Sequence, residues 1–306
     1  MQRSLTDYIF ITLKGIAMGA ADVVPGVSGG TIAFISGIYE ELINSVNKIN
    51  IKALKILKTQ GVLPFWKYIN GNFLLSLIIG IGISIFSLAK AIKWLLENKP
   101  ILLWSFFFGL VIASIFMVAK EVTKWRLNTI LIFLAGALVA YYISIIPPMQ
   151  NTESTVFIFF SGALAICAMI LPGISGAFIL VLLGAYSTIL HAIDQKNIKI
   201  IALFALGAIF GLLSFARILK WMFSNYKNLT LALLTGFIFG SLNKIWPWKK
   251  TLSWYKNSHG VDVPLLQESI SPFNFNGNPQ LLWAIILALV GFLTIFLLEK
   301  IAAKKS

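Results

Sequence analysis

The chain has 306 residues, of which 58% are hydrophobic and 12% charged, with a mean hydropathy of +0.87. Soluble domains carry roughly 25% charged residues, so a fold bathed in water is excluded and a bilayer becomes the solvent. The formal charge of +14 does not argue for nucleic acid, because the lysines lie in short connections between apolar runs; they suit topology signals and contacts with anionic lipid headgroups.

From the N-terminus, apolar stretch 8–21 leads into Asp22-Val23-Val24-Pro25-Gly26-Val27-Ser28-Gly29-Gly30, and a second apolar stretch, 31–43, follows. No small-residue cleavage site follows the first stretch, so it reads as a membrane element and not a removed signal. Each arm falls short of the roughly 20 residues that cross a bilayer. Pro25 removes a helical hydrogen bond and Gly26 tolerates non-helical dihedrals, so the backbone is expected to turn here. Residues 8–43 therefore read as a re-entrant helical hairpin, with two short tilted spans as the alternative.

The connection 44–70 places Val46, Ile49, Ala53 and Ile56 on one helical stripe opposite Lys48, Lys52 and Lys55. That pattern fits an amphipathic helix on the membrane surface or a solvated basic loop. Three spans follow at 73–95, 101–119 and 127–146. A second interrupted region, 156–190, is broken by Pro172-Gly173-Ile174-Ser175-Gly176, and spans are expected again at 198–219, 229–245 and 281–298.

The two interrupted regions repeat one another. Pro25-Gly26-Val27-Ser28-Gly29 matches Pro172-Gly173-Ile174-Ser175-Gly176, and the match runs on to Gly37/Gly184 and Tyr39/Tyr186. Further on, Lys93-Trp94 matches Lys220-Trp221, Gly109 matches Gly236, Ser114 matches Ser241, and Ala137-Leu138-Val139 resembles Ala288-Leu289-Val290. The fold expected is an all-α polytopic membrane protein of two repeats, 1–149 and 150–306, each a re-entrant hairpin plus three spans. An odd number of crossings per repeat makes the repeats inverted, a recurring plan for secondary transporters. Lysine and arginine cluster at 44–70, 120–126, 217–227 and 300–305, which places both termini in the cytoplasm; the long connection 246–279 then faces outward.

Non-helical backbone is tolerated inside a bilayer only where protein or a water-filled cavity covers it. Two Pro-Gly-x-Ser-Gly breaks thus imply a polar cavity. The helix after each break would point free N–H groups into it, with hydroxyls from Ser28, Thr31 and Ser175 and close approach at Gly29, Gly30 and Gly176. That chemistry suits a phosphate or carboxylate. Pairs such as Gly15/Gly19, Gly207/Gly211 and Gly236/Gly240 read instead as helix packing.

Asp22, opposite Met169 in the repeat, is a carboxylate at membrane depth and a candidate site for a coupling proton or sodium; a capping role is the alternative. Lys14 is a candidate partner for Asp22 or an anionic substrate, or snorkels to the interface. Arg217 would anchor a span end or add charge to the site. The only histidines, His191 and His259, stand apart from any carboxylate cluster. No metal-ligand spacing, disulfide framework or nucleotide loop appears, so neither an enzyme nor a bound cofactor is expected.

The stretch 19–31 (Gly19-Ala20-Ala21-Asp22-Val23-Val24-Pro25-Gly26-Val27-Ser28-Gly29-Gly30-Thr31), with Leu171-Pro172-Gly173-Ile174-Ser175-Gly176 later, resembles the PopT-type polyprenyl-phosphate transporter family of bacteria. The resemblance covers essentially the whole chain in length and span order. It implies a transporter in the bacterial cytoplasmic membrane that returns undecaprenyl phosphate, the carrier lipid of wall assembly, from the outer to the cytoplasmic leaflet. Ser28, Gly29, Gly30, Thr31, Ser175 and Gly176 would then contact the headgroup, Lys14 and Arg217 would supply charge, and Asp22 would couple to an ion. The other readings are a carrier of a small soluble anion and a non-transporting subunit of an envelope-synthesis complex.

Overall fold

A computed structural model describes residues 3–24, 27–147, 149, 154–256 and 262–303; Pro25 and Gly26 lie outside them. Among the described residues are fourteen α-helices. Three of them are long and apolar enough to cross a membrane, or five spans if each of two bent pairs counts as one. Large apolar side chains point outward along them: Phe86 is 87% exposed and Leu138 68%. In water that surface would aggregate, and lipid is the environment that satisfies it. The chain is a multi-pass membrane protein.

Helix α1 (Leu5–Val23) opens with a capping box, in which Ser4 Oγ accepts from the Asp7 N–H at 3.3 Å and the Asp7 carboxylate accepts from the Ser4 N–H at 2.8 Å. After the first break come α2 (Gly29–Ile35) and α3 (Tyr39–Asn47), and after the second, beyond α10 (Thr155–Ile170), come α11 (Gly176–Leu182) and α12 (Tyr186–Asp194). The sequence suggests one helical arm after each break. There are two, because Gly37 (φ 73°) and Gly184 (φ 70°) take left-handed backbone. At both glycines the same pair of hydrogen bonds ends the helix: Gly37 N–H to Phe34 O with Ile38 N–H to Ala33 O, and Gly184 N–H to Val181 O with Ala185 N–H to Leu180 O. This is the glycine-terminated helix end that gives two of the orphan carbonyls a donor. Gly37→Ala has open space around its added carbon, so its expected cost is the backbone strain alone, about 1 kcal/mol, measurable as a small shift in thermal unfolding.

The connection 44–70 is helical, as α4 (Ile51–Gln60) and α5 (Val62–Tyr68), with Val46 and Ala53 turned inward. Stretch 73–95 is interrupted at Leu88 into α6 (Gly71–Ser87) and α7 (Ala89–Asn98); α8 (Pro100–Glu121) and α9 (Leu127–Ile145) follow. In the second half, stretches 198–219 and 229–245 join into α13 (Ile198–Ser241), bent where Tyr226 adopts φ −139°, ψ 47°. Lys99, between α7 and α8, has φ −139°, ψ 48°. The same backbone bend thus recurs 127 residues apart, the offset that also relates Gly109 to Gly236. Helix α14 (Leu281–Ala303) closes the chain.

Helix packing repeats with equal fidelity. A carbon added to Gly15 would lie 2.4 Å from Leu77 O, and one on Gly162 would lie 2.3 Å from Phe204 O. The reciprocal approaches, Gly80 to Thr12 O and Gly207 to Phe159 O, are 2.1 and 1.9 Å. So α1 crosses α6 as α10 crosses the first part of α13, backbone against backbone, through the small residues that permit close approach. The last helices cross over: Gly109 of α8 meets Ala288 O of α14, while Gly236 of α13 meets Phe133 O of α9. These contacts pair Gly136 with Gly291 as equivalents. The register of the third span is therefore four residues off the Ala137/Ala288 match suggested by sequence, about one helical turn.

One element departs from an all-α plan. Strands β1 (Lys249–Lys256) and β2 (Asp262–Ser269) pair antiparallel, with Lys249 opposite Ser269 and a register irregularity near Ser253. Hydrogen bonds tie this hairpin to the helix ends: Ser269 Oγ donates to Asn243 O, and the indoles of Trp246 and Trp248 donate to Ile270 O and Pro279 O.

Candidate functional site

The two breaks meet inside the molecule. Ser28 Oγ donates to Leu171 O at 3.1 Å and lies 3.3 Å from Met169 O, while the Gly173 N–H donates to Thr31 Oγ1 at 2.9 Å. Gly30 lies so close to the other break that an added carbon would sit 2.5 Å from Ile170 O. Ser28, Thr31 and Ser175 are all buried, as backbone polar groups away from water require. Gly173 itself holds φ +86°, which its lack of a side chain allows.

The expected free N–H groups are largely taken by the chain itself. The Gly29 N–H donates to the Asp22 carboxylate at 2.7 Å and the Gly30 N–H to Ser28 Oγ at 3.1 Å. In the second half the Phe178 N–H donates to Ser175 Oγ at 3.4 Å. Helices α2 and α11 have only seven residues each, so little aligned dipole stands behind either start. Ser28 is the N-cap of α2, and the Asp22 carboxylate adds a second acceptor, for the otherwise orphan Gly29 N–H. Thr31→Val would leave the buried Gly173 N–H without its acceptor and is expected to cost about 1–3 kcal/mol. Thr31→Ser should restore most of it, read as thermal unfolding in detergent.

Lys14 is not beside Asp22. Its ammonium donates to Ser36 O at 2.6 Å, at the end of α2. Arg217 is exposed on α13, and Gly176 packs against Ala165 O of α10. The structure thus gathers Asp22, Ser28, Gly29, Gly30, Thr31, Gly173 and Ser175 around the paired breaks, and leaves Lys14 and Arg217 outside that group.

A cation that sequence reasoning missed does face the second break. Lys244, just beyond α13, lines a small cavity with Gly173, Ser175, Phe178, Ser144 and Ser241. Its Nζ stands 3.9 Å from the centroid of the Phe178 ring. Lys249 donates to Lys244 O and lies 4.0 Å over the Trp104 ring. The signal was in the repeat: at the offset joining Ser114 to Ser241, Lys244 falls opposite Met117, a charge with no counterpart. Near the C-terminal end of α8 and the bend of α13, a cavity of ≈ 390 Å³ is lined by residues including Phe34, Tyr39, Glu40, Met117 and Lys227, with Lys227 and Glu40 paired at 3.0 Å. Among the described residues, no group of three or more His, Cys, Asp or Glu could hold a metal ion.

Residues 18–263 match the VCA0040-like family, described as undecaprenyl phosphate translocase-like. The chain belongs to this family. It is 48% identical over 302 residues to a polyprenyl-phosphate transporter of Vibrio cholerae, covering 97% of this chain and 98% of that protein. It is 31% identical over 256 residues to a polyprenyl-phosphate transporter of Staphylococcus aureus, covering 77% of this chain and 85% of the relative. These relatives are transporters, not enzymes. No solved structure matches.

Proposed function

We propose that this chain carries polyprenyl phosphate across the bacterial cytoplasmic membrane, from the outer to the cytoplasmic leaflet, returning the carrier lipid for wall assembly. The observation that carries the reading is the 48% identity, over nearly the full length of both chains, to a polyprenyl-phosphate transporter. The chemistry agrees with it. A phosphate headgroup is costly to move through hydrocarbon, whereas the prenyl tail can remain in lipid throughout.

The repeats are inverted in this reading, and the two breaks belong to re-entrant hairpins entering from opposite leaflets. The termini and the cavity holding Glu40 and Lys227 face the cytoplasm, and the β-hairpin faces outward, following the lysine and arginine distribution. Ser175 and Gly176 contact the headgroup. Ser28, Gly29, Gly30 and Thr31 hold the breaks together and pass the headgroup when the breaks part. Asp22 binds the coupling proton or sodium.

Purified protein in vesicles with labelled polyprenyl phosphate tests this. Translocation of the polyprenyl phosphate, faster than that of ordinary phospholipid and responsive to a proton or sodium gradient, is expected. Equal movement of both lipids, or none, would sink the reading.

A further inference from the structure

Lys244 and Lys249 are two neighbouring cations facing aromatic rings, and neither forms an ion pair among the described residues. An ammonium has three donors. Lys249 gives one to a backbone carbonyl; no hydrogen bond from Lys244 Nζ to a described residue is found. Burial and the charge of Lys244 together push the Lys249 ammonium well below its ordinary pKa. Ring faces offset part of that cost, but an anion between the two would offset far more.

The surroundings suit one. Ser175 Oγ accepts from the Phe178 N–H, and its own hydroxyl hydrogen has no partner among the described residues. In the first repeat Ser28 instead gives its hydroxyl to the opposing break. Ser144 and Ser241 complete the polar lining, although each already donates to a helix carbonyl. The cavity here is about 20 Å³, room for a water and not for a phosphate, whereas the cavity by the bend of α13 is near 390 Å³. The space beside Lys244 is thus the smaller of the two by far.

We propose that Lys244 and Lys249, with the hydroxyl of Ser175, form a phosphate-binding site at the β-hairpin end, occupied when that end opens. The inference rests on the transport reading and adds to it the cations that first engage the headgroup. Strand β1 carries Lys249, so the hairpin contributes a cation to the site. The second repeat thereby holds the cationic site and the first repeat holds the acid, Asp22.

Binding of a short-chain prenyl phosphate to the purified protein, measured by native mass spectrometry, tests the site. Lys244→Met introduces the residue that the first repeat already has at this place, Met117, so the packing is expected to survive. It should weaken binding about tenfold or more, the scale of a hydrogen bond to a charged group. Lys249→Gln should do likewise, Lys244→Arg should keep most of the affinity, and Arg217→Gln should leave it unchanged. Competition by the prenyl phosphate but not by equal inorganic phosphate assigns the site to a lipid headgroup; equal competition assigns it to free phosphate. Unchanged binding in folded Lys244→Met, or in folded Lys249→Gln should Lys244→Met not fold, overturns the site. If the wild type still translocates in vesicles in that case, the transport reading stands alone. Binding that needs Lys244, without translocation, would leave the site and remove the transport reading.

Discussion

Gly109→Val is expected to remove most of the folded protein, while Gly82→Ala is expected to raise its stability. Both glycines lie within apolar helices of the first repeat. An added carbon at Gly109 would fall 1.8 Å from Ala288 O, whereas one at Gly82 meets nothing within 4 Å. Backbone cannot retreat as a flexible side chain can, so α8 and α14 would have to separate along their crossing. The expected cost is about 3 kcal/mol or more, a large share of the roughly 5–15 kcal/mol that holds a typical protein folded. Gly82→Ala gains about 0.5–1 kcal/mol from reduced freedom of the unfolded chain and better helix propensity. Size-exclusion yield and thermal unfolding in detergent separate the two. A well-folded Gly109→Val protein with unchanged unfolding temperature would mean that this crossing is looser than described.

Asp22→Asn should fold and should fail to transport. The amide oxygen can still accept from the Gly29 N–H, the bond that Asp22 makes at 2.7 Å, so that contact at the start of α2 survives. The charge does not. If Asp22 carries the coupling ion, translocation falls about tenfold or more, as expected when a charge-assisted contact is lost, and what remains no longer responds to the gradient. Asp22→Ala also leaves the Gly29 N–H without its acceptor, with a further destabilisation of about 1–3 kcal/mol. Wild-type transport by Asp22→Asn, with its gradient response intact, would reduce Asp22 to a capping residue.

Much of the plan was legible in the sequence. The Pro-Gly-x-Ser-Gly repeat, the positions of most apolar helices and the close approaches at Gly15, Gly207 and Gly236 follow from residue type and spacing. Gly37 and Gly184 were visible as matched positions, yet only the backbone shows that each ends a helix in left-handed conformation. The bend at Tyr226 carries no proline or glycine to announce it. The β-hairpin was hidden because 246–279 reads as a connection; its pairing joins residues up to twenty positions apart, Lys249 with Ser269, which no local pattern encodes.

The two breaks were legible in position, and their bonding was not. Sequence located both breaks but could not reveal that they bond to each other through Ser28, Thr31 and Gly173. Lys14 stands two helical turns from Asp22 on α1 and turns to Ser36 O, a choice made by where α2 ends. Lys244 read as the edge of a span, where a lysine is ordinary. Its meaning comes from Phe178 and Ser175, residues nearly seventy positions earlier in the chain.

The crossed packing of the final helices has a consequence for how the molecule can come apart. Helix α9 belongs to the first half of the sequence but lies on α13, and α14 belongs to the second but lies on α8. The two halves are interlocked, each lending its last helix to the other. A protein severed at residue 150 would give fragments that must find each other before either can bury its exposed glycine seam. Any rocking that exposes alternate ends must then occur between bodies assembled from both halves, and an ancestral half-length chain could complete this packing only as a pair exchanging tails.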